Sequence, residues 1–329
     1  MAELRWNPIL KQWNIVSDAR QDRPVLPEKS CPLCPGVLEV PQEDYYIVSF
    51  ENRFPSLRKD PRTPNVTGDS LYRVRKNKGV CEVVLYAPRH DAVPSTFSLT
   101  RFENLIKVWK DRFFELGSKD FIDYVYIFEN RGREIGVTLD HPHGQIYAFP
   151  FIPPHARTSL STAESHYQEH GECIFCRVID REKEDGRRII WEDKHFLAFV
   201  PFYARLPYEV HLYPKRHMST IGDLNASEIK SLAVGMKTIL TKYKNLFPIE
   251  DFPYISSFHQ APVDGGNYPY YHFHLEFYSL QRAEDKIKYR AGVETGMGTF
   301  ISSISPEDMA DKLARVDAEV DSDTDYGTA

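Results

Sequence analysis

Apolar and polar residues alternate over Gln12-Trp13-Asn14-Ile15-Val16-Ser17, a two-residue period that predicts a strand, with Trp6-Asn7-Pro8 forming a turn before it. Further strands are expected at 45–50 and 80–86, separated by a loop rich in Pro, Asn and Gly at 58–70. From Thr100 the period changes. Apolar residues recur at 102, 105, 106, 109, 113 and 116 and the run closes at Gly117, which predicts an amphipathic helix. Tyr124-Val125-Tyr126-Ile127-Phe128 then reads as a buried strand leading to Asp140-His141-Pro142-His143-Gly144-Gln145. In an extended chain, two histidines one residue apart put both imidazoles on one side. One ring can then hold a metal while the other attacks phosphorus or passes a proton.

The second half repeats this order. Cys31-x-x-Cys34 is answered by Cys173-x-x-Cys176, and Leu85-Tyr86-Ala87-Pro88-Arg89-His90 by Leu212-Tyr213-Pro214-Lys215-Arg216-His217. A second helix is expected near 225–246, capped by Asn225 or Ser227, and His141-Pro142-His143 is answered by His272-Phe273-His274. Four correspondences in one order predict a duplicated unit. The copies differ at one telling place, where Gln145 is matched by Glu276. An amide can donate to a phosphate oxygen and a carboxylate repels it, so phosphate chemistry belongs to the first half.

Composition narrows the setting. Hydrophobic content of 42% and charged content of 27% are those of a globular protein, and a net charge near −6 disfavours nucleic acid as the main partner. No apolar run reaches the roughly 18 residues that span a bilayer, and Met1-Ala2-Glu3-Leu4-Arg5-Trp6 lacks a secretory core, so no membrane partner and a cytoplasmic location are expected. In that compartment paired Cys-x-x-Cys motifs favour metal over disulfides. Thioredoxin-like redox chemistry is the rival, but neither pair opens a recognisable βαβ unit.

Cys31, Cys34, His90 and His141 make a Cys2His2 set suited to closed, structural zinc, which would support the strand carrying His143. By the same logic Cys173, Cys176, His217 and His272 form a second set, with His259 and His274 as rival ligands. Two zinc ions per chain are therefore expected. Cys81 reads as a small apolar strand residue, His211 as a structural one, and His155, His166, His170 and His195 as solvated.

These residues resemble the galactose-1-phosphate uridylyltransferase family, a branch of the histidine-triad superfamily. The resemblance runs over about residues 5–317 through Arg5-Trp6-Asn7-Pro8, the first cysteine pair, Glu51-Asn52-Arg53-Phe54-Pro55 and Phe128-Glu129-Asn130-Arg131-Gly132. It continues through His141-Pro142-His143-Gly144-Gln145, Ser257-Phe258-His259-Gln260 and Ala291-Gly292-Val293-Glu294. It implies an α+β fold of two tandem histidine-triad-like halves, each a mainly antiparallel sheet with packed helices and a zinc knuckle. The expected division is 1–165 for the catalytic half, 166–316 for the second half and 317–329 for an acidic disordered tail. A homodimer with an active site shared between subunits is also implied.

By the same resemblance His143 is the nucleophile toward UDP-glucose, and Gln145 binds the phosphoryl oxygens. Arg20, Arg23, Asn52 and Asn130 match positions near the nucleotide and its phosphates, Lys288 and Glu294 match positions near the hexose of a hexose 1-phosphate acceptor, and Thr138 is a further substrate-binding residue. Two departures stand out. The glutamate of the family's iron site falls near Ser159, which makes iron unlikely, and Arg53 stands where many members have an aspartate. A related enzyme, ADP-glucose phosphorylase, shares the His-Pro-His and the two cysteine pairs and is the alternative reading. A nucleotide-binding module without turnover is the second alternative.

Overall fold

The computed structural model describes residues 2–18, 31–37, 40–42 and 45–320. Arg20, Arg23 and residues 321–329 of the expected tail lie outside the described residues.

The chain opens with β1 (Ala2–Asn7) and β2 (Gln12–Ser17), and the turn at Asn7 is held by its Oδ1, which accepts from the Ile9 and Leu10 amides. After β3 (Val48–Glu51) comes β4 (Val74–Lys76), which pairs with β1 to give a small sheet ordered β2-β1-β4. β5 (Val80–Leu85) leads to α1 (Leu99–Gly117), whose N-cap Ser98 accepts from the Arg101 amide. β6 (Tyr124–Arg131) and β7 (His143–Phe149) follow. The next two helices, α2 (Pro154–His170) and α3 (Ile174–Asp185), were not expected, and α2 runs through the 165/166 boundary. The second half continues with β8 (Ile189–Glu192), β9 (Phe196–Phe199), β10 (Val210–Pro214) and α4 (Ala226–Leu246). Asn225 caps α4 in a reciprocal box with Glu228. β11 (Tyr254–His259), β12 (His274–Ser279), a short hairpin β13 (Gln281–Ala283) and β14 (Lys286–Ile287), α5 (Gly292–Met297) and α6 (Pro306–Arg315) complete the chain.

Among the described residues, nine strands form one antiparallel sheet, β3-β5-β7-β6-β11-β12-β10-β9-β8. The sheets expected for the two halves are thus one, joined where β6 pairs with β11. One face carries Val84, Ile127, Ile146, Phe258, Leu275 and Leu212, covered by the apolar stripes of α1 and α4. At roughly 1.5–3 kcal/mol per fully buried large apolar side chain, Phe102, Ile106, Trp109, Leu232 and Met236 hold those helices down far more than helix propensity does. The opposite face carries a continuous cross-strand row, Val83–Gln145–Phe128–Ser257–Glu276–His211.

That row makes the duplication concrete. β6 and β11 lie at the centre, β7 answers β12 and β5 answers β10. Gln145 corresponds to Glu276, His143 to His274 and Val83 to His211.

Candidate active site and metal sites

The His-Pro-His motif straddles the start of a strand. His141 lies in a bend before β7 and His143 is its first residue, so the two rings take separate jobs rather than sharing one strand face. His141 is buried, and its Nε2 lies 2.8 Å from the Ala87 carbonyl oxygen. A carbonyl only accepts, so Nε2 carries the proton and the bare Nδ1 points toward Cys34 Sγ at 3.9 Å. His90 Nδ1 is 3.7 Å from the same sulfur, and the four ligand atoms of Cys31, Cys34, His90 and His141 lie within 4.8 Å of one another. Sulfur and nitrogen ligands of one tetrahedral zinc are about 3.5 Å apart. The set fits zinc. Burial lowers the His141 pKa to about 4, so its ring is neutral and able to ligate across the working pH range. Burial pushes the Cys31 thiol up to about 11, a proton that a cation would displace.

The second set repeats the arrangement. His272 Nε2 is 2.9 Å from the Pro214 carbonyl, and the Nδ1 atoms of His217 and His272 each lie 3.4 Å from Cys176 Sγ. Cys173, Cys176, His217 and His272 are gathered within the same 4.8 Å limit, and the rivals His259 and His274 stand apart with Glu276. The cysteine pairs differ in setting. Cys31 and Cys34 sit in a turn closed by the Cys34 amide to the Cys31 carbonyl, whereas Cys173 is the N-cap of α3.

His143 is 8% exposed, and its Nδ1 donates to the His141 carbonyl at 2.7 Å. This places its lone pair on Nε2. The ring lines a cleft shared with Asn130, Arg131, Gly132, His141 and Asp251. Gln145, 6% exposed, follows on the same face of β7. Between them Gly144 is obligatory, because a Cβ there would lie 2.2 Å from the Tyr86 hydroxyl.

The remaining expected contacts are spread out. Thr138 lies in the loop before β7 with a buried hydroxyl that makes no hydrogen bond among the described residues. The Asn52 side chain accepts from the Phe54 amide, shaping its own turn. Lys288 and Glu294 pair with each other, and neither lines the cleft around His143.

Sequence reasoning did not anticipate the cluster at the matching place in the second half. His274 Nδ1 donates to the His272 carbonyl at 2.9 Å, the copy of the His143 contact. Its Nε2 faces Glu276 at 3.3 Å, and His259, His211, Glu209 and Arg205 close around the same carboxylate. Burial alone would raise the Glu276 carboxyl, but the surrounding imidazoles hold it well below the usual range. His211 does pack as a structural residue, 1% exposed, and His155 is exposed as expected, with its ring tilted by 58° toward that of His259 at 5.5 Å. The visible signal was the Gln145/Glu276 exchange. An anion fixed where the first half presents an amide turns a phosphate site into a self-neutralised network.

Sheet, duplication and cleft together define a class, α+β proteins built of two similar halves with a His-x-His at the start of the same strand in each. Family models described as "Galactose-1-phosphate uridyl transferase", N-terminal and C-terminal domain, match residues 1–153 and 160–323. The chain belongs to the galactose-1-phosphate uridylyltransferase family. It is 45% identical to the galactose-1-phosphate uridylyltransferase of Thermotoga maritima over 322 residues, covering 97% of this chain and 100% of that protein. A solved uridylyltransferase structure superposes with a TM-score of 0.86 at 34% identity, covering 95% of this chain and 97% of that one. An ADP-glucose phosphorylase from Arabidopsis thaliana, solved with ADP-glucose bound, superposes at 0.73 with 26% identity, covering 96% and 99%.

Proposed function

We propose that this chain is a UDP-glucose–hexose-1-phosphate uridylyltransferase working through a covalent uridylyl-histidine. The observation that carries the reading is His143. Its Nδ1 proton is committed to the His141 carbonyl, so the lone pair is on Nε2, and the ring lines the cleft with Gln145 two residues on. His143 Nε2 attacks the α-phosphorus of UDP-glucose. A P–N bond forms, and the P–O bond to glucose 1-phosphate breaks with its electron pair on the departing phosphate oxygen. A phosphate oxygen of galactose 1-phosphate then attacks the same phosphorus, the P–N bond breaks with its electron pair returning to His143 Nε2, and UDP-galactose is released. The Gln145 amide donates to the phosphoryl oxygens, and Asn130, in the same cleft, contacts the nucleotide.

Zinc would be held by Cys31, Cys34, His90 and His141, and a second ion by Cys173, Cys176, His217 and His272, supplying rigidity and no reacting group. Residues 1–165 act as the catalytic half and 166–316 as its support. A homodimer is part of the proposal. Tyr289, Val293, Met297 and Ile301 are exposed beside Lys288 and Glu294, which do not reach the cleft of their own chain and would meet it across a dimer contact. No helix among the described residues is long and apolar enough to cross a membrane.

The similarity to the ADP-glucose-bound phosphorylase supports a second reading, with adenine as base and inorganic phosphate as acceptor. Turnover of UDP-glucose against ADP-glucose, each with galactose 1-phosphate or phosphate, separates the two. The primary reading expects UDP-glucose with galactose 1-phosphate to be preferred, and preference for ADP-glucose with phosphate would replace it.

A further inference from the structure

The motif Phe128-Glu129-Asn130-Arg131-Gly132 is only partly accounted for by substrate binding, because Asn130 alone has a role there. Its other polar residues turn toward the second half. The Tyr254 hydroxyl donates to Glu129 Oε1 at 2.9 Å, and both groups are buried. Arg131 Nε donates to Asp251 at 3.0 Å, while its Nη1 donates to the Asp140 carbonyl at 3.2 Å. Between these contacts Gly132 adopts a φ of +91°, and a Cβ there would meet Pro253 at 2.8 Å. Three successive contacts therefore fasten Glu129–Gly132 to the segment Asp251–Tyr254, at the strand pair where the halves join.

We infer that Arg131 and Asp251 form a clamp by which the second half positions the nucleophile. Arg131 reaches in two directions at once. One side of its guanidinium is fixed by Asp251, and the other holds the carbonyl immediately before His141, whose own carbonyl fixes His143. The planar fork suits this bridging in a way a lysine ammonium does not. Glu129–Tyr254 and Gly132–Pro253 keep the backbone on either side of Arg131 in place. Arg131, Asp251 and Glu129 are thus positioning residues that act through His141 and His143. The inference rests on His143 being the nucleophile.

The test compares Arg131→Met, Asp251→Asn, the double variant and Arg131→Lys in steady-state transfer and in single-turnover labelling by UDP-glucose. Loss of the clamp lets the His-Pro-His segment drift, and a displacement near 1 Å costs about a hundredfold. The expected result is a kcat about 10–100-fold lower in Arg131→Met with KM and zinc content unchanged, partial recovery in Arg131→Lys, and a double variant no worse than the poorer single one. Full kcat in Arg131→Met, or a raised KM with kcat intact, overturns the clamp, the second because it marks a direct substrate contact. Losses that multiply in the double variant also overturn it, since two independent residues would behave that way. If Arg131→Met does not fold, Asp251→Asn and Tyr254→Phe carry the same comparison. Failure of the wild-type protein to take label would instead reject the nucleophile reading and leave a different signature from any of these.

Discussion

Gly144→Ala is a one-carbon change placed between His143 and Gln145. The added Cβ would lie 2.2 Å from the Tyr86 hydroxyl, 3.0 Å from Cζ and 3.1 Å from Cε1, where ordinary contact begins at 3.4 Å. Tyr86 has nowhere to go, being 1% exposed and packed edge-on against the buried Trp109 at 5.8 Å. The strand must therefore retreat by about 1 Å, and His143 and Gln145 move with it. Overpacking of this kind costs about 1–3 kcal/mol, and the displacement lowers kcat by about a hundredfold. Removing the hydroxyl should relieve most of the clash, because the remaining carbon contacts need only a few tenths of an ångström. The hydroxyl faces Glu129 without a hydrogen bond of ordinary geometry, so Tyr86→Phe alone should change little. The assay is melting temperature and kcat for the two single variants and the double. Gly144→Ala with wild-type values, or a double variant no better than Gly144→Ala, would refute the reasoning.

Three further outcomes follow from the same geometry. Cys34→Ser should abolish turnover, because His141 is both a proposed zinc ligand and the carbonyl that holds His143, whereas Cys176→Ser should mainly lower the melting temperature; a folded Cys176→Ser that is the less active of the two would contradict this division. Elemental analysis of protein grown without metal bias should find two zinc ions per chain and little iron, and one zinc with one iron would restore the iron-site reading. Glu129, raised by burial from 4.5 to about 7, holds its proton in the folded state at pH values where the unfolded chain has lost it. Its contribution to stability is therefore present in full below about pH 4.5 and is lost as pH rises toward 7, by an order of 3 kcal/mol. Melting temperatures from pH 5 to 8 should fall less steeply in Glu129→Gln than in the wild type, and parallel curves would show that the carboxyl is not perturbed.

The parts of this molecule that were legible in sequence are those written locally or twice. α1 and α4 carry long apolar stripes with Ser98 and Asn225 at their starts, and the metal sets repeat the same residue types in the same order. α2 was missed because few of its side chains are buried, chiefly Ala156, Leu160 and Ala163, and such a stripe barely rises above a polar loop. β1 hid behind a broken alternation, since Glu3 is fully buried and neutralised by Arg5 at 2.7 Å. The union of the two sheets left no local trace at all. It depends on β6 meeting β11 across contacts such as Tyr254–Glu129, 125 residues apart. The residues of the second-half cluster were visible individually, but only the strand register brings His211, His259, His274 and Glu276 together.

The central claim is that His143 becomes covalently uridylylated, and labelling tests it most directly. The wild-type protein and His143→Ala are incubated with UDP-glucose carrying radioactive α-phosphorus, then digested and mapped. The account predicts one acid-labile label per chain on His143, one equivalent of glucose 1-phosphate released, and discharge of the label by galactose 1-phosphate. It predicts that His143→Ala folds, keeps its zinc and takes no label. Label on another residue, or His143→Ala turning over near the wild-type rate, would contradict it.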